Sequence, residues 1–266
     1  MPEEKWLVED EKTLELGAIK TLKVSLISGQ VDIIGHDEPT TKVEVHSVRG
    51  KSLLIVVTDD HLEIDHPQLN WDNFIDVFKS FRGSASADVS ILVPRPVALK
   101  LGVVNSNALV SGLHHSASVS TVSGPIVVDS VIGDVQLNAV SGEISVRNHD
   151  GAISAKTVSG EIMASGELTS FKGDSVSGNM FLDVSGTPDS IVTKSVSGSV
   201  TARLAEGTPA QYTVNTVSGK IQLDDSEISG LHGTYSTKFG SLDKSWLDLR
   251  ANSVSGSVSV LHAVSS

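Results

Sequence analysis

The chain has 266 residues and a mass of 27.9 kDa, which allows one large domain or two small ones. Its 32 acidic residues against 20 basic ones give a net charge of −12, and this balance argues against nucleic acid and anionic membrane surfaces as partners, because both attract basic residues. The absence of cysteine excludes disulfides, thiolate metal sites and a cysteine nucleophile. The chain contains 40 Ser, 35 Val and 23 Gly but only 11 aromatic residues, so its core must be built from small β-branched side chains.

The N-terminal segment MPEEKWLVEDEKTLEL has acids where a signal peptide has a basic start and an apolar run. The longest apolar stretch, near 53–57, has about five residues and is far too short for a membrane span. The sequence as written therefore predicts a soluble, cytoplasmic protein that would reach the cell envelope only through partners.

The N-terminal third shows alternating apolar and polar residues, which is typical of strands. These strands form either the first coils of a repeat or a short antiparallel cap. The segments are 22–35, 42–48, 53–58, 61–65 and 88–93.

A different pattern interrupts these strands in the segment NWDNFIDVFKSFRG. Large apolar residues at i, i+3, i+4 and i+7 predict a short amphipathic helix over about 70–82. The helix either lies against the β-structure as a cap or is exposed to bind a partner or a membrane. Its candidate contact residues are Trp71, Phe74, Phe78 and Phe81.

The tripeptide Val-Ser-Gly recurs through the remainder of the chain. Its valines stand at 122, 140, 158, 176, 196, 217 and 254, in steps of 18, 18, 18, 20, 21 and 37 residues. The last step equals about two repeats, with Phe239-Gly240 as a degenerate boundary between them. Glycines also fall every nine residues from Gly124 to Gly160, which marks a half-repeat.

Apolar residues stand two and four positions after each repeat glycine, so each repeat contains a strand with one inward face. Short strands cut by glycines predict a parallel β-solenoid with about 18–21 residues per coil and coils about 4.8 Å apart. In this interpretation the glycines turn corners where φ is positive, and the serines stack as a ladder of hydroxyls that satisfies backbone groups. The structural repeat residues are Ser123, Gly124, Ser141, Gly142, Ser159, Gly160, Ser177, Gly178, Ser197, Gly198, Ser218, Gly219, Ser255 and Gly256.

We expect an N-terminal β segment over 1–98 and regular repeats over 99–266, joined in one continuous domain. The C-terminal segment SVSGSVSVLHAVSS is strand-like almost to its last residue. It would leave one end of the solenoid open to self-association.

The TVSGxIxV repeats, with the N-terminal segment LKVSLISGQVDIIGHDEPTTKVEV, resemble the bacterial β-strand-repeat family known as putative adhesins, a family of unknown function. The resemblance extends over about 6–264. It implies a right-handed, single-stranded parallel β-helix and no catalytic residues. Some relatives are similar to accessory proteins of envelope-stress systems.

Parallel β-helices also include polysaccharide lyases and hydrolases, which need two nearby carboxylates. Glu143 and Glu161 share a phase in neighbouring repeats and are the one candidate pair. Their column continues through Asn, Ser and Lys, which is more typical of a solvated corner.

The nine histidines show no metal-ligand spacing, and nucleotide-binding motifs are absent, so the sequence predicts no metal, no cofactor and no catalytic residues. We therefore expect a non-enzymatic scaffold that binds a protein partner, or itself, through a face or an end of the solenoid. The alternative is a carbohydrate-binding or polysaccharide-active β-helix.

Overall fold

The computed structural model describes residues 3–66, 85–224, 226–228 and 233–263. Every regular element in these ranges is a β-strand. The chain divides into two compact units, Met1–Gly133 and Asp134–Ser266.

Among the described residues of the first unit there are ten strands, and their inward side chains are mainly Val, Ile and Leu. They are β1 (Glu4–Val8), β2 (Lys12–Leu16), β3 (Thr21–His36), β4 (Thr41–Arg49), β5 (Leu53–Thr58), β6 (His61–Asp65), β7 (Ser86–Pro94), β8 (Ala98–Ser111), β9 (Ala117–Thr121) and β10 (Ile126–Asp129).

Two ladders of paired strands run through this unit, and the long strands β3 and β8 take part in both. One ladder has the order β1, β5, β6, β3, β8, β9, and the other has the order β2, β4, β7, β3, β8, β10. Pairing is parallel from β6 and β7 onward, whereas β1, β5, β2 and β4 pair antiparallel. The N-terminal segments were predicted to form either the first coils or an antiparallel cap, and the structure shows both. The parallel strands form early coils, and the antiparallel strands form a border.

The described part of the second unit contains twelve strands. They are β11 (Val135–Ala139), β12 (Ile144–Thr157), β13 (Ile162–Ser175), β14 (Met180–Ser185), β15 (Ser190–Ser195), β16 (Val200–Leu204), β17 (Ala210–Thr216), β18 (Ile221–Leu223), β19 (Ser226–Ile228), β20 (Gly233–Phe239), β21 (Leu247–Ser253) and β22 (Val258–His262).

Two ladders also organise the second unit, with β12 and β13 in both. The first has the order β12, β13, β14, β16, β22, β18, β19, and the second has the order β11, β12, β13, β15, β21, β17, β20. All pairs are parallel except β18–β19 and β17–β20. The inward column that follows each glycine, including Ile144, Ile162 and Met180, is fully buried.

The last coil of the chain lies inside the ladders. Strands β21 and β22 insert between the coil of β15 and β16 and the coil of β17 and β18. The chain therefore completes β17 and β18, returns antiparallel through β19 and β20, and then fills the space between. The step of 37 residues is thus not two successive turns, and the prediction of an open C-terminal strand is wrong, because β22 has neighbours on both sides.

The predicted fold class is wrong as stated. A uniform single-stranded parallel β-helix does not contain the antiparallel strands at the borders of these ladders, and the described residues form strands without a helix. What holds is an all-β, solenoid-like stack of parallel coils. The helix expected at about 70–82 falls outside the described residues.

Candidate interaction surface

The repeat valines of the second unit point outward, a direction that their hydrophobicity did not predict. Their side chains are 39–57% exposed, although valine is among the residues most often found inside. We call this surface the valine–serine ladder. Its six turns, in spatial order, are Val140-Ser141, Val158-Ser159, Val176-Ser177, Val196-Ser197, Val254-Ser255 and Val217-Ser218.

Backbone hydrogen bonds hold the six turns in register. In the five turns that follow Val140-Ser141, the serine N–H donates to the carbonyl of the valine in the neighbouring coil, at 2.9 Å for Ser177 to Val158 and 3.0 Å for Ser159 to Val140. The serine hydroxyls reach the same carbonyls at 3.2–3.4 Å. At about 4.8 Å per coil the ladder is about 24 Å long, so it presents a rigid row of apolar side chains.

A buried hydroxyl explains why the turns point outward. The residue before each valine is Thr or Ser in five of the six turns, the exception being Ala139, and its side chain bonds the backbone of the glycine three positions later. Thr157 Oγ1 accepts from the Gly160 N–H at 2.9 Å, and Ser195 Oγ donates to the Gly198 carbonyl at 2.7 Å. With both ends of the turn tied inward, the valine and serine between them face solvent. The sequence signal was present as Thr/Ser-Val-Ser-Gly.

The glycines of the Val-Ser-Gly turns serve close stacking and not positive φ, whereas the half-repeat glycines Gly133 and Gly151 have the predicted positive φ. Gly160, Gly178 and Gly198 are absent from the residues with positive φ. A Cβ at Gly178 would lie 1.8 Å from the Gly160 carbonyl oxygen, and one at Gly198 would lie 2.0 Å from that of Gly178. The expected reason for these glycines was therefore wrong: they admit the backbone of the next coil.

The column after the glycines borders the ladder on one side and carries the candidate carboxylate pair. Glu143 and Glu161 are both exposed, and Glu161 accepts a hydrogen bond from Asn179 Nδ2 at 3.3 Å. Asn179 Oδ1 in turn accepts from the Ser199 N–H at 3.0 Å. These contacts make the column a hydrogen-bonded edge of the stack.

Charged side chains line a separate surface feature of the first unit. An open groove of about 880 Å³ beside β2 and β4 is lined in part by Glu15, Asp37 and Lys42. The Arg95 guanidinium donates to Asp37 at 2.5 Å and lowers the pKa of that carboxyl. Lys42 likewise lowers the pKa of Glu44. These exposed charges neutralise one another in pairs.

The remaining candidates from the sequence do not form a site within the described residues. Those residues contain no cluster of three His, Asp or Glu side chains suited to a metal ion. The candidate contact residues of the predicted helix, Trp71, Phe74, Phe78 and Phe81, lie outside the described residues. In the ranges that the structure describes, no helix has the length and apolar character needed to cross a membrane.

The fold and the ladder together define a class: an all-β protein of stacked parallel coils with antiparallel borders and an outward valine–serine row. The chain belongs to the Toastrack DUF4097 family, whose model matches residues 19–261. No curated protein matches the chain.

Three solved structures are similar to the chain over nearly its whole length. A putative adhesin from Bacteroides fragilis shares 8% identity over 95% of this chain and 98% of its own, with a TM-score of 0.47. A putative lipid binding protein from Parabacteroides distasonis shares 12% over 96% and 97%, with a TM-score of 0.40. A putative cell adhesion protein from Clostridium sporogenes shares 15% over 98% and 99%, with a TM-score of 0.34.

Proposed function

We propose that the chain is a non-enzymatic interaction protein that binds a protein partner through the valine–serine ladder. The observation that carries this proposal is the outward row of six half-exposed valines on a hydrogen-bonded backbone. Contiguous exposed apolar surface typically marks an interaction site. Because the backbone of the ladder is already ordered, binding would cost little conformational entropy.

The geometry of the ladder favours a partner with β-structure. The valines repeat at the spacing of stacked coils, about 4.8 Å, and neighbouring strands of any β-sheet repeat their side chains at the same interval. A partner sheet can therefore place one side chain between each pair of valines. The ladder itself has no charged side chain, so shape and apolar contact would determine its specificity.

In a more specific form of the proposal the role is adhesin-like or linked to envelope stress, and the partner is a protein of the cell envelope. The competing hypothesis of a polysaccharide-active protein would place the chemistry at Glu143 and Glu161. Both side chains are exposed to solvent. We therefore treat carbohydrate activity as an outcome of the test.

The test introduces a photoreactive amino acid at Val176 in the native host. Phe181, 43% exposed against 48% for Val176, is the matched control outside the ladder. We expect a protein cross-linked at 176 but not at 181, and its loss when Val158 and Val196 are replaced by lysine. Equal cross-linking at both positions, or none at 176, would contradict the proposal. So would a polysaccharide-cleaving activity that is lost in Glu143→Gln or Glu161→Gln.

A further inference from the structure

Strand β20 is an edge strand with little protection. Among the described residues it pairs with β17 alone, from Ala210 opposite Phe239 to Thr216 opposite Gly233. Its sequence, GTYSTKF, has no proline and only one charged residue, Lys238. The seven residues pair with β17 without a register shift. An edge of this kind is a template for another strand.

The other edge strands differ from β20 in charge or length. The segment that contains β1 and β2 has six acids against two lysines over residues 3–16, so two copies of it repel each other. Strand β19 has three residues and includes Glu227, which lies 3.3 Å from Lys220. In a chain with a net charge of −12, β20 is thus, among the strands that the structure describes, the long edge strand without an acid.

We propose that two copies of this chain pair through β20 in an antiparallel, two-fold symmetric dimer. This inference rests on the proposed function as an interaction protein and adds a second copy as a partner at a site separate from the valine–serine ladder. Strand β20 already runs antiparallel to β17, so a second β20 continues the ladder by the same rule. A two-fold axis also limits the assembly to a dimer, because both copies use the same strand for the contact.

The side chains of β20 are compatible with a two-fold axis at Ser236. In this register Lys238 lies opposite Thr234 of the other copy, so that the only charge of the strand does not face its own copy. Tyr235 lies opposite Thr237, an aromatic and β-branched pair that favours antiparallel strands. Phe239 lies opposite Gly233, and its ring remains stacked on His262 of its own copy.

The pairing should be weak and dependent on concentration. One pair of seven-residue strands buries less than the roughly 1,200 Å² of a stable interface. In sedimentation velocity we expect a weight-average mass that rises from 27.9 kDa toward twice that value as concentration increases.

The absence of native cysteine allows a direct test of the register. Directly opposed residues in an antiparallel pair have Cα atoms about 4.5–5.5 Å apart, within the range of a disulfide. We expect Ser236→Cys to form a disulfide-linked dimer under mild oxidation. Thr234→Cys alone should not, because the two copies of residue 234 are about 14 Å apart along the strand. A mixture of Thr234→Cys with Lys238→Cys should cross-link.

A second test uses charge and does not require oxidation. Ser236→Lys places two like charges at the axis and should weaken dimerisation about tenfold, and Ser236→Glu should do the same. An equimolar mixture of the two variants should restore it. Ser185→Lys, a change of the same type at an exposed serine of β14, should leave dimerisation unchanged.

Two results together would overturn the proposal. The wild-type chain would stay monomeric at every concentration, and Ser236→Cys would cross-link no faster than Thr234→Cys. These outcomes are separate from those of the ladder. Failure of photocross-linking at Val176 with efficient cross-linking at residue 236 would reject the ladder as the partner site and support the β20 dimer.

Discussion

The Nδ1 atom of His262 lies 2.9 Å from the Asp224 carboxylate, so the end of the last strand is tied to the residue that follows β18. The other ring nitrogen, Nε2, lies 3.0 Å from the Thr208 carbonyl oxygen, just before β17. The ring also stacks on Phe239 of β20, with centroids 3.9 Å apart. One nearly buried histidine therefore connects the inserted last coil with the coil and the return strand around it.

Replacement of His262 by leucine should destabilise the second unit by about 2–3 kcal/mol, because it removes the ring's polar contacts with the Asp224 carboxylate and the Thr208 carbonyl, although the backbone N–H of residue 262 still donates to Asp224. Chemical denaturation followed by circular dichroism measures this loss. The control is His115→Leu at an exposed histidine in the first unit, which should change stability by less than about 0.5 kcal/mol. Equal stability of the two variants would show that the histidine is not a structural tie.

Gly178→Ala should be among the most damaging single substitutions in the chain. The new Cβ would lie 1.8 Å from the carbonyl oxygen and 2.7 Å from the carbonyl carbon of Gly160, so the neighbouring backbone leaves it no space. We expect a loss of at least about 3 kcal/mol, or failure to fold. Gly17→Ala is the matched control, because no atom lies within 4 Å of its Cβ position. A small effect at Gly178 in urea titrations would contradict close stacking as the reason for the glycine.

The periodicity of the sequence was sufficient to predict parallel stacked coils and their inward columns. Ile144, Ile162 and Met180 are all fully buried, because period-two alternation within each repeat is a local property that the sequence displays directly.

The order in which the coils stack could not be predicted from the sequence. The placement of β21 and β22 between two earlier coils depends on which long-range pairings bury the most surface, and one Val-Ser-Gly turn is equivalent to another in pattern. The direction of the repeat valines was missed for a related reason: hydrophobicity alone assigns Val176 to the core. Its exposure follows from the buried hydroxyl of Ser175, which bonds the Gly178 carbonyl at 2.8 Å.

The valine–serine ladder should be dispensable for folding. Val176→Ser should cost less than about 1 kcal/mol, because half of the side chain is already in water, whereas Val184→Ser in the core of the same coil should cost about 2–4 kcal/mol. Thermal denaturation of both variants measures the difference. Similar losses would mean that the exposed valines act as core residues, which would remove the structural basis of the proposed partner site.

His66 should make stability depend on pH. Its ring is fully buried, neither nitrogen has a hydrogen-bond partner among the described residues, and burial with the charge of Lys51 lowers its pKa from 6.5 to about 4. The unfolded chain therefore binds a proton at this histidine below pH 6.5, whereas the folded chain accepts it only near pH 4. As the pH falls from 6.5 to 4, the free energy of unfolding decreases. The decrease reaches about 3 kcal/mol at pH 4.

Replacement of His66 by phenylalanine should remove this part of the pH dependence, since the variant has no proton to gain at that position. The measurement is the free energy of unfolding of wild type and variant at intervals between pH 7 and pH 4. Subtracting the two curves cancels the exposed acids such as Asp60, which titrate in both proteins. The control is His115→Phe, the same replacement at an exposed histidine. If the curve of His66→Phe were also parallel to wild type, the ring of His66 would have to accept its proton in the folded chain as readily as in the unfolded one.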